Sequence, residues 1–285
     1  MKYRVARKFL ISLIFLAAIG LMSYPFAANL FYQSKADSYI EVYKDKEKDM
    51  SNEDREEILR KAKIYNEGIL NGNNVIIDPF SGEVKEKVTY EDILNTAEGG
   101  VMGVIEIPQI DVKLPIYHGT GAAVLERGIG HVRESSLPIG GKGTHSVLTG
   151  HTGLNNAKMF SDIDRLKKGD KFFIKILGKT LAYRVDKISV VLPEDLKGIT
   201  VENDKDYCTL LTCTPYGIND HRLLVRGKRV TYRPGDENAH LTKRKGSRWM
   251  EEYKYALFIS ALAGGCFAFR SYMMKHVKTK DAHRQ

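Results

Sequence analysis

The feature that most constrains the fold of this 285-residue chain is a series of short strand-like segments between Gly103 and Val230. Their residues are β-branched or alternate between apolar and polar, with Gly and Pro between the segments. The segments are Val104–Ile107, Leu114–Tyr117, Ser146–Thr149, Lys171–Ile176, Thr180–Val191, Cys208–Cys213 and Leu223–Val230. A helical pattern occurs mainly around Ala157–Lys167. This pattern of short strands with few helices predicts a mainly β fold, namely a closed or nearly closed β-barrel with short helices.

Two apolar stretches lie outside the strand-rich region. The first, Phe9 to Ala28, has no charged residue, and a helix of that length spans about 30 Å, the thickness of the hydrocarbon core. The second, Tyr255 to Phe269, is shorter and lies between aromatic residues and a basic tail. We therefore expect an N-terminal membrane anchor and a second transmembrane segment. The alternatives are a cleaved signal peptide for the first and an interfacial or buried helix for the second.

The formal charge of +9 is concentrated beside these stretches. Residues 1–8 carry +4 and residues 243–285 carry +7, which leaves residues 9–242 at −2. Bases that flank apolar stretches are typical of the cytoplasmic side of a membrane and argue against a nucleic-acid surface. The sequence thus predicts two cytoplasmic ends and an extracellular domain between them.

The region that follows the first apolar stretch is predicted to be polar and helical. Lys35 to Glu53 is charged and is expected to be a stalk. Ser51 is typical of a helix cap, and Asn71-Gly72 ends the helix. Apolar residues at helical spacing predict that this helix packs on another element: Ile58, Ala62, Tyr65 and Ile69. A second short helix is predicted at Thr89–Thr96.

Two of the three cysteines, Cys208 and Cys213, lie in the predicted extracellular region, and Cys266 lies in the second apolar stretch. Five residues apart on one strand, Cys208 and Cys213 point to opposite faces, so a disulfide between them is not expected. An unpaired cysteine in an exported protein usually has a chemical role.

Cys213 ends a predicted strand, and Arg222 begins the next one after a loop that contains Pro and Gly. If the two strands pair, the guanidinium is brought back beside the thiol. A neighbouring guanidinium lowers the pKa of a thiol and can stabilise an oxyanion. For an arbitrary Cys–Arg pair, a buried cysteine next to a surface arginine is the commoner explanation.

A general base is also required, and His151 is a candidate because it follows a predicted strand, where active sites of barrels collect. Other histidines compete for the role: His118, His131, His145 and His221. His221 is the strongest competitor because it adjoins Arg222. The residues alone do not choose between them.

The segment Thr209-Leu210-Leu211-Thr212-Cys213, with Arg222 nine residues later, resembles the signature of sortases. Leu148-Thr149-Gly150-His151 is similar to the catalytic-histidine segment of that family. The resemblance is closer to the class C, pilus-building sortases, in Gly130 to Pro138, Thr144 to Phe160 and Cys213 to Gly227. Asp78-Pro79-Phe80 matches the lid motif of class C enzymes.

The resemblance implies a cysteine transpeptidase with Cys213 as nucleophile, His151 as acid/base and Arg222 as oxyanion or substrate-orienting group. Asp78 would pair with Arg222, and Phe80 would cover Cys213. The implied substrates are pilin subunits that carry LPxTG-like sorting signals and an acceptor lysine. The implied chemistry needs no cofactor, and no acidic cluster suggests a metal. The alternatives are a housekeeping sortase that anchors proteins to peptidoglycan, and a pilus scaffold with an inactive site.

Four regions are expected on this basis. Residues 1–34 form a basic cytoplasmic end and membrane anchor, and residues 35–100 form the stalk, amphipathic helices and lid. Residues 101–233 form the sortase β-barrel. Residues 234–285 form a linker, a second transmembrane segment and a basic cytoplasmic tail.

Overall fold

The computed structural model describes residues 2–71, 89–96, 99–154, 157–195, 199–238, 254–255, 258–266 and 270. Its helices are α1 (Lys2–Asp49), α2 (Asn52–Leu70) and α3 (Ala122–Leu125). Its strands are β1 (Val101–Ile107), β2 (Val112–His118), β3 (Ile129–His131), β4 (Thr144–Thr149), β5 (Lys171–Ile176), β6 (Lys179–Val191), β7 (Asp206–Thr214) and β8 (His221–Val230).

The eight strands form a closed barrel in the order β1-β2-β3-β4-β7-β8-β6-β5. The β2–β3 and β4–β7 pairs are parallel, and the other pairs are antiparallel. Apolar side chains that alternate along the strands fill the interior. The predicted mainly β barrel is therefore confirmed. All seven predicted strands are present. The eighth strand, β3, was not predicted because its three residues are too few to show a periodic pattern.

Helix α1 continues well beyond the apolar stretch, so the segment from Lys35 to Asp49 is helical and not a free stalk. Ala36, Ile40 and Tyr43 recur at helical spacing and are buried against the barrel. The Tyr43 hydroxyl accepts a hydrogen bond from the Leu177 amide at 3.1 Å. The charges of this segment lie on the exposed face of an amphipathic helix, which explains why its composition suggested a stalk.

Among the described residues, one helix is long and apolar enough to cross a membrane, and it runs from Phe9 to Asp49 with a peak mean hydropathy of 2.1. Part of the second apolar stretch is helical, at 258–266. Its Ser260 hydroxyl donates to the Met22 sulfur at 2.9 Å. A side chain at Gly264 would meet the Phe15 ring, so this helix runs antiparallel to α1.

Helix α2 is capped as predicted, because the Ser51 hydroxyl accepts from the Asp54 amide at 3.0 Å. The helix packs on the segment that precedes β4. There the Asn66 side chain accepts from the Leu137 amide at 2.7 Å and donates to the Leu137 carbonyl at 3.2 Å.

The predicted helix at Ala157–Lys167 is only a single 3-10 turn at Ile163–Arg165. The segment is held instead by buried groups. Lys158 pairs with Asp162 at 3.4 Å and donates its ammonium to the Ile110 carbonyl. Because these bonds tie the segment to the barrel, it needs no regular helix to be ordered.

Candidate active site

Cys213 and Arg222 lie directly opposite each other on β7 and β8. Facing residues of an antiparallel pair project to the same side of the sheet, with Cβ atoms about 4.5–5.5 Å apart. The Cys213 side chain is partly exposed. The loop that joins the strands reverses through a turn in which the Ile218 amide donates to the Pro215 carbonyl at 3.1 Å. The antiparallel pairing that the sequence suggested is therefore present.

His151 reaches the same place through a different strand. β4 runs parallel to β7, with Thr149 opposite Leu211. Continued two residues beyond the last paired residues, this register would place His151 beside Cys213. Because side chains alternate along a strand, the two would then project from the same face. The register therefore predicts that a thiol, an imidazole and a guanidinium meet at the ends of three neighbouring strands.

Two hydrogen bonds fasten the end of β4 to β7 just before His151 and Cys213. The Gly150 amide donates to the Leu211 carbonyl at 3.2 Å. The buried Thr212 hydroxyl donates to the Gly150 carbonyl at 2.7 Å. A Cβ at Gly150 would lie 2.6 Å from the end of the Ile129 side chain and 3.1 Å from the Phe160 ring, so a larger residue would require these side chains to shift. The sequence showed Thr212 inside the cysteine motif, but nothing in the pattern indicated its partner.

The chain after His151 is also held in position. The His151 carbonyl accepts from the Phe160 amide at 3.1 Å. Gly153 has a positive φ of 77° and donates its amide to the Ser161 hydroxyl at 3.1 Å. The Tyr216 ring of the β7–β8 loop lies against Gly153, 3.5 Å from where a Cβ would be. The loops that carry the imidazole and the thiol therefore contact each other.

His131 is excluded as a general base by burial. It is fully buried, its Nε2 donates to the Ser136 carbonyl at 2.8 Å, and its Nδ1 accepts from the Tyr90 hydroxyl at 2.8 Å. Desolvation lowers the pKa of this imidazole to about 4. Both ring nitrogens are therefore occupied, and the ring stays neutral.

His145 and His118 are likewise held by structural bonds. The His145 Nδ1 donates to the Thr200 carbonyl at 2.8 Å, so its Nε2 accepts from the Thr209 hydroxyl at 2.7 Å. The His118 Nε2 donates to the Ile93 carbonyl at 2.6 Å. Desolvation by burial lowers the pKa of both rings. Neither ring is available for chemistry at Cys213.

His221 remains accessible, but it lies on the wrong face. It pairs with Thr214, one position from the Cys213–Arg222 pair, so it projects to the opposite side of the sheet. Its Nδ1 is 2.8 Å from the Asp220 carboxylate, and that hydrogen bond lowers the pKa of the exposed Asp220. The geometry therefore favours His151 over the competitor that the sequence left open.

The two cysteines of β7 have opposite environments. Cys208 is fully buried in the hydrophobic core, where desolvation raises the pKa of its thiol well above the ordinary value. Cys213 lies on the other face of the strand and is partly exposed. Because the thiolate is the nucleophilic form, only Cys213 has an environment suited to reaction.

The Arg222 guanidinium is oriented by backbone groups. Its Nη1 donates to the Asn219 carbonyl at 3.1 Å and to the His221 carbonyl at 3.0 Å. A guanidinium has five donors, so others remain to meet a developing oxyanion. The arrangement combines a nucleophile, an acid/base group and a cationic donor, which is the equipment needed for acyl transfer.

Asp78 and Phe80, the predicted lid residues, lie outside the described residues. Within the part of the chain that the structure describes, no group of three or more His, Cys, Asp or Glu side chains is placed to hold a metal ion.

Comparisons with known proteins show which family the chain resembles. The model of the sortase domain matches residues 105–230. Sortase D of Bacillus subtilis is 34% identical over 136 residues, which cover 47% of this chain and 66% of that protein. Sortase A of Streptococcus agalactiae is 33% identical over 117 residues, which cover 40% of this chain and 47% of the relative. The matched region thus spans between about half and two thirds of these relatives.

Solved structures of class C sortases match over more of the chain. Sortase C1 of GBS Pilus Island 1 is 40% identical, with a TM-score of 0.62, covering 70% of this chain and 94% of the other. Clostridium perfringens sortase C, solved with the C-terminal cell wall sorting motif, is 45% identical, with a TM-score of 0.60. That match covers 69% of this chain and all of the other.

The contrast between the cysteines predicts their reactivity. In the folded protein, iodoacetamide should modify Cys213 and leave Cys208 unmodified, because the Cys208 thiol is buried and its pKa is raised. Peptide mass spectrometry before and after denaturation measures this, and Cys208 should react only after unfolding. Modification of Cys208 in the native protein at the rate of Cys213 would contradict the assignment.

Proposed function

This chain belongs to the sortase family of cysteine transpeptidases, and from that premise we propose that it joins pilin subunits into a pilus. The observation that supports the proposal is the strand register, which pairs Cys213 with Arg222 and runs β4 beside β7 up to two residues before His151. Two relatives support the substrate class: one sortase C1 belongs to a pilus island, and one sortase C was solved with a cell wall sorting motif.

In the proposed reaction, the Cys213 thiolate attacks the carbonyl between Thr and Gly of an LPxTG-like signal. Arg222 donates hydrogen bonds to the oxyanion that forms. As the C–N bond breaks, His151 protonates the departing glycine amine, and a thioester remains on Cys213. A lysine amine of a second pilin then attacks the thioester and gives up a proton to His151, which is neutral after the first step. An isopeptide bond forms, and the Cys213 thiolate is released.

The positions of the three groups support this division of roles. Arg222 is opposite Cys213 and is braced by carbonyls of its own loop, so its remaining donors can point toward the reacting carbonyl. His151 approaches from β4, on the other side of β7 from Arg222. The substrate carbonyl can therefore be held between a cation and an acid, with the nucleophile in the middle strand.

The proposal can be tested by incubating the purified full-length protein with a pilin and identifying any cross-link by mass spectrometry. Cys213→Ala should abolish both the thioester and the polymer, whereas Cys208→Ala should keep both. His151→Ala should lower the rate by at least about 10²-fold, the lower end for loss of general acid–base catalysis. His221→Ala is the matched control and should lose far less.

Polymer formation by Cys213→Ala, or a dead His221→Ala beside an active His151→Ala, would overturn the assignment. The assay also separates the housekeeping alternative. If only a peptidoglycan-type amine, and not a pilin lysine, resolves the thioester, the protein anchors surface proteins to the cell wall.

We further propose that Asp78 and Phe80 form a lid, with the Asp78 carboxylate on Arg222 and Phe80 over Cys213. The proposal rests on the class C motif in the sequence. Replacing both residues with Ala should speed iodoacetamide modification of Cys213 at a fixed pH and raise hydrolysis of a sorting-signal peptide. Equal modification rates in the variant and the wild-type protein would show that this segment does not guard the thiol.

The regional division also stays a proposal: 1–34 anchor, 35–100 helices and lid, 101–233 barrel and 234–285 second span with cytoplasmic tail. The antiparallel contact between Ser260 and Met22 is what two neighbouring spans would make. The test is a topology reporter fused after Gln285, with a fusion after Lys8 as the cytoplasmic control. An extracellular signal at Gln285 would refute the second span and leave a single N-terminal anchor.

A further inference from the structure

The exposed large apolar side chains of the barrel are all at one end. Among the described residues from 101 to 238, only four large hydrophobic residues are about half exposed or more. They are Val190, Leu192, Tyr216 and Ile218, with exposures of 58%, 48%, 52% and 68%. Isolated exposed hydrophobics are common, but this clustering on two neighbouring loops is not expected by chance.

We call these four side chains the apolar rim. Val190 and Leu192 lie at the end of β6, where Val191 pairs with Arg222. Tyr216 and Ile218 lie in the loop that joins Cys213 to Arg222. The apolar rim therefore lies at the same end of the barrel as Cys213 and Arg222.

Helix α1 shows which end of the barrel faces the membrane. At its apolar end, the Asn29 side chain accepts from the Lys158 amide at 3.0 Å. Lys158 lies two residues before Phe160, whose amide bonds to His151. About 27 Å further along the helix, Glu47 accepts from the Gly178 amide in the β5–β6 hairpin, at the opposite end of the barrel.

The apolar stretch of α1 ends at Ala28, one residue before the Asn29 contact, and the first charge after it is Lys35. The membrane boundary therefore lies within about two helical turns of the active-site end, because each turn advances 5.4 Å. This conclusion does not depend on the direction of the helix on the N-terminal side of Pro25, since the Asn29 contact lies on the C-terminal side of Pro25. The opposite end of the barrel, with Gly178 and α2, points away from the membrane.

From these two observations we infer that the apolar rim rests on the lipid surface. The four side chains would enter the interfacial layer, and the site would open at the membrane surface. The acidic residues around the rim indicate how it binds lipid: Glu194, Asp195 and Asp220 are exposed. They would be repelled by anionic headgroups, so the contact is apolar, requires no anionic lipid and is insensitive to salt.

This orientation also predicts which substrates the site prefers, and that prediction rests on the proposed function. A site that opens at the membrane surface accepts a peptide that is itself held there, next to a membrane-embedded segment. The apolar rim should therefore favour a sorting signal tethered in a bilayer over the same signal in solution. The lipid contact itself does not depend on the reaction and can be tested separately.

Tryptophan fluorescence of the full-length protein in phosphatidylcholine vesicles tests the lipid contact. The sequence has a single tryptophan, Trp249, so Trp249→Phe provides a silent background. Ile218→Trp in that background should lose emission when the lipid is brominated near the headgroup, and the loss should persist in high salt. Ile64→Trp on α2, at the far end of the barrel, is the matched control and should keep its emission.

Equal emission of Ile218→Trp in brominated and unbrominated vesicles would overturn the inference. So would quenching that requires anionic lipid. Because the readout is fluorescence, it stands even if the proposed pilin chemistry fails.

A kinetic comparison tests the preference for tethered substrate. The test uses one triple variant, which carries Val190→Ser, Leu192→Ser and Ile218→Ser. It should cleave a soluble sorting-signal peptide at the wild-type rate and should be slower than wild type only with a vesicle-anchored peptide. An equal loss with both substrates would show that the rim binds the peptide and not the lipid, which overturns the inference. Cleavage of neither substrate by the wild-type protein would instead refute the proposed function.

Discussion

The parallel pairing of β4 with β7 is the constraint on which the rest of the site depends. Each strand supplies one reactive side chain near its end, and the Thr212 hydroxyl bonds to the Gly150 carbonyl at the last shared position. A slip of one residue would turn Cys213 or His151 to the other face. Antiparallel pairing of β7 with β8 then places Arg222 directly opposite Cys213. Adjacent strands thus pair Cys213 with Arg222 and direct the chain that carries His151, more than 60 residues earlier, toward them.

Buried histidines stabilise the surroundings of the site and take no part in its chemistry. The Tyr90–His131 bond joins the segment before β1 to β3, and the His145–Thr200 bond joins β4 to the segment before β7. A buried neutral imidazole with both nitrogens bonded is rigid, since any change leaves a polar group unsatisfied. The same burial that lowers the pKa of these rings distinguishes them from the partly exposed His151.

Helix α1 connects the membrane to the site. Its apolar half is long enough to cross a bilayer, and its amphipathic half is buried along the barrel through Ile40 and Tyr43. Because one continuous helix does both, the height and direction of the barrel are set by packing and not by a flexible tether.

The sequence by itself determined the barrel class, seven of eight strands, the capped helix α2 and the motif that contains Cys213 and Arg222. These depend on local periodicity, turn residues and short spacings, which are visible along the chain. The family resemblance pointed to His151, but only the tertiary structure gave physical reasons against its four competitors, because burial, hydrogen-bond partners and strand face follow from non-local pairing. It also showed that Lys35–Asp49 packs on the barrel. In that segment most residues are charged, so the composition suggested a stalk. The three apolar residues Ala36, Ile40 and Tyr43 are buried against the barrel, which is far away in sequence, so their role was visible only in the tertiary structure.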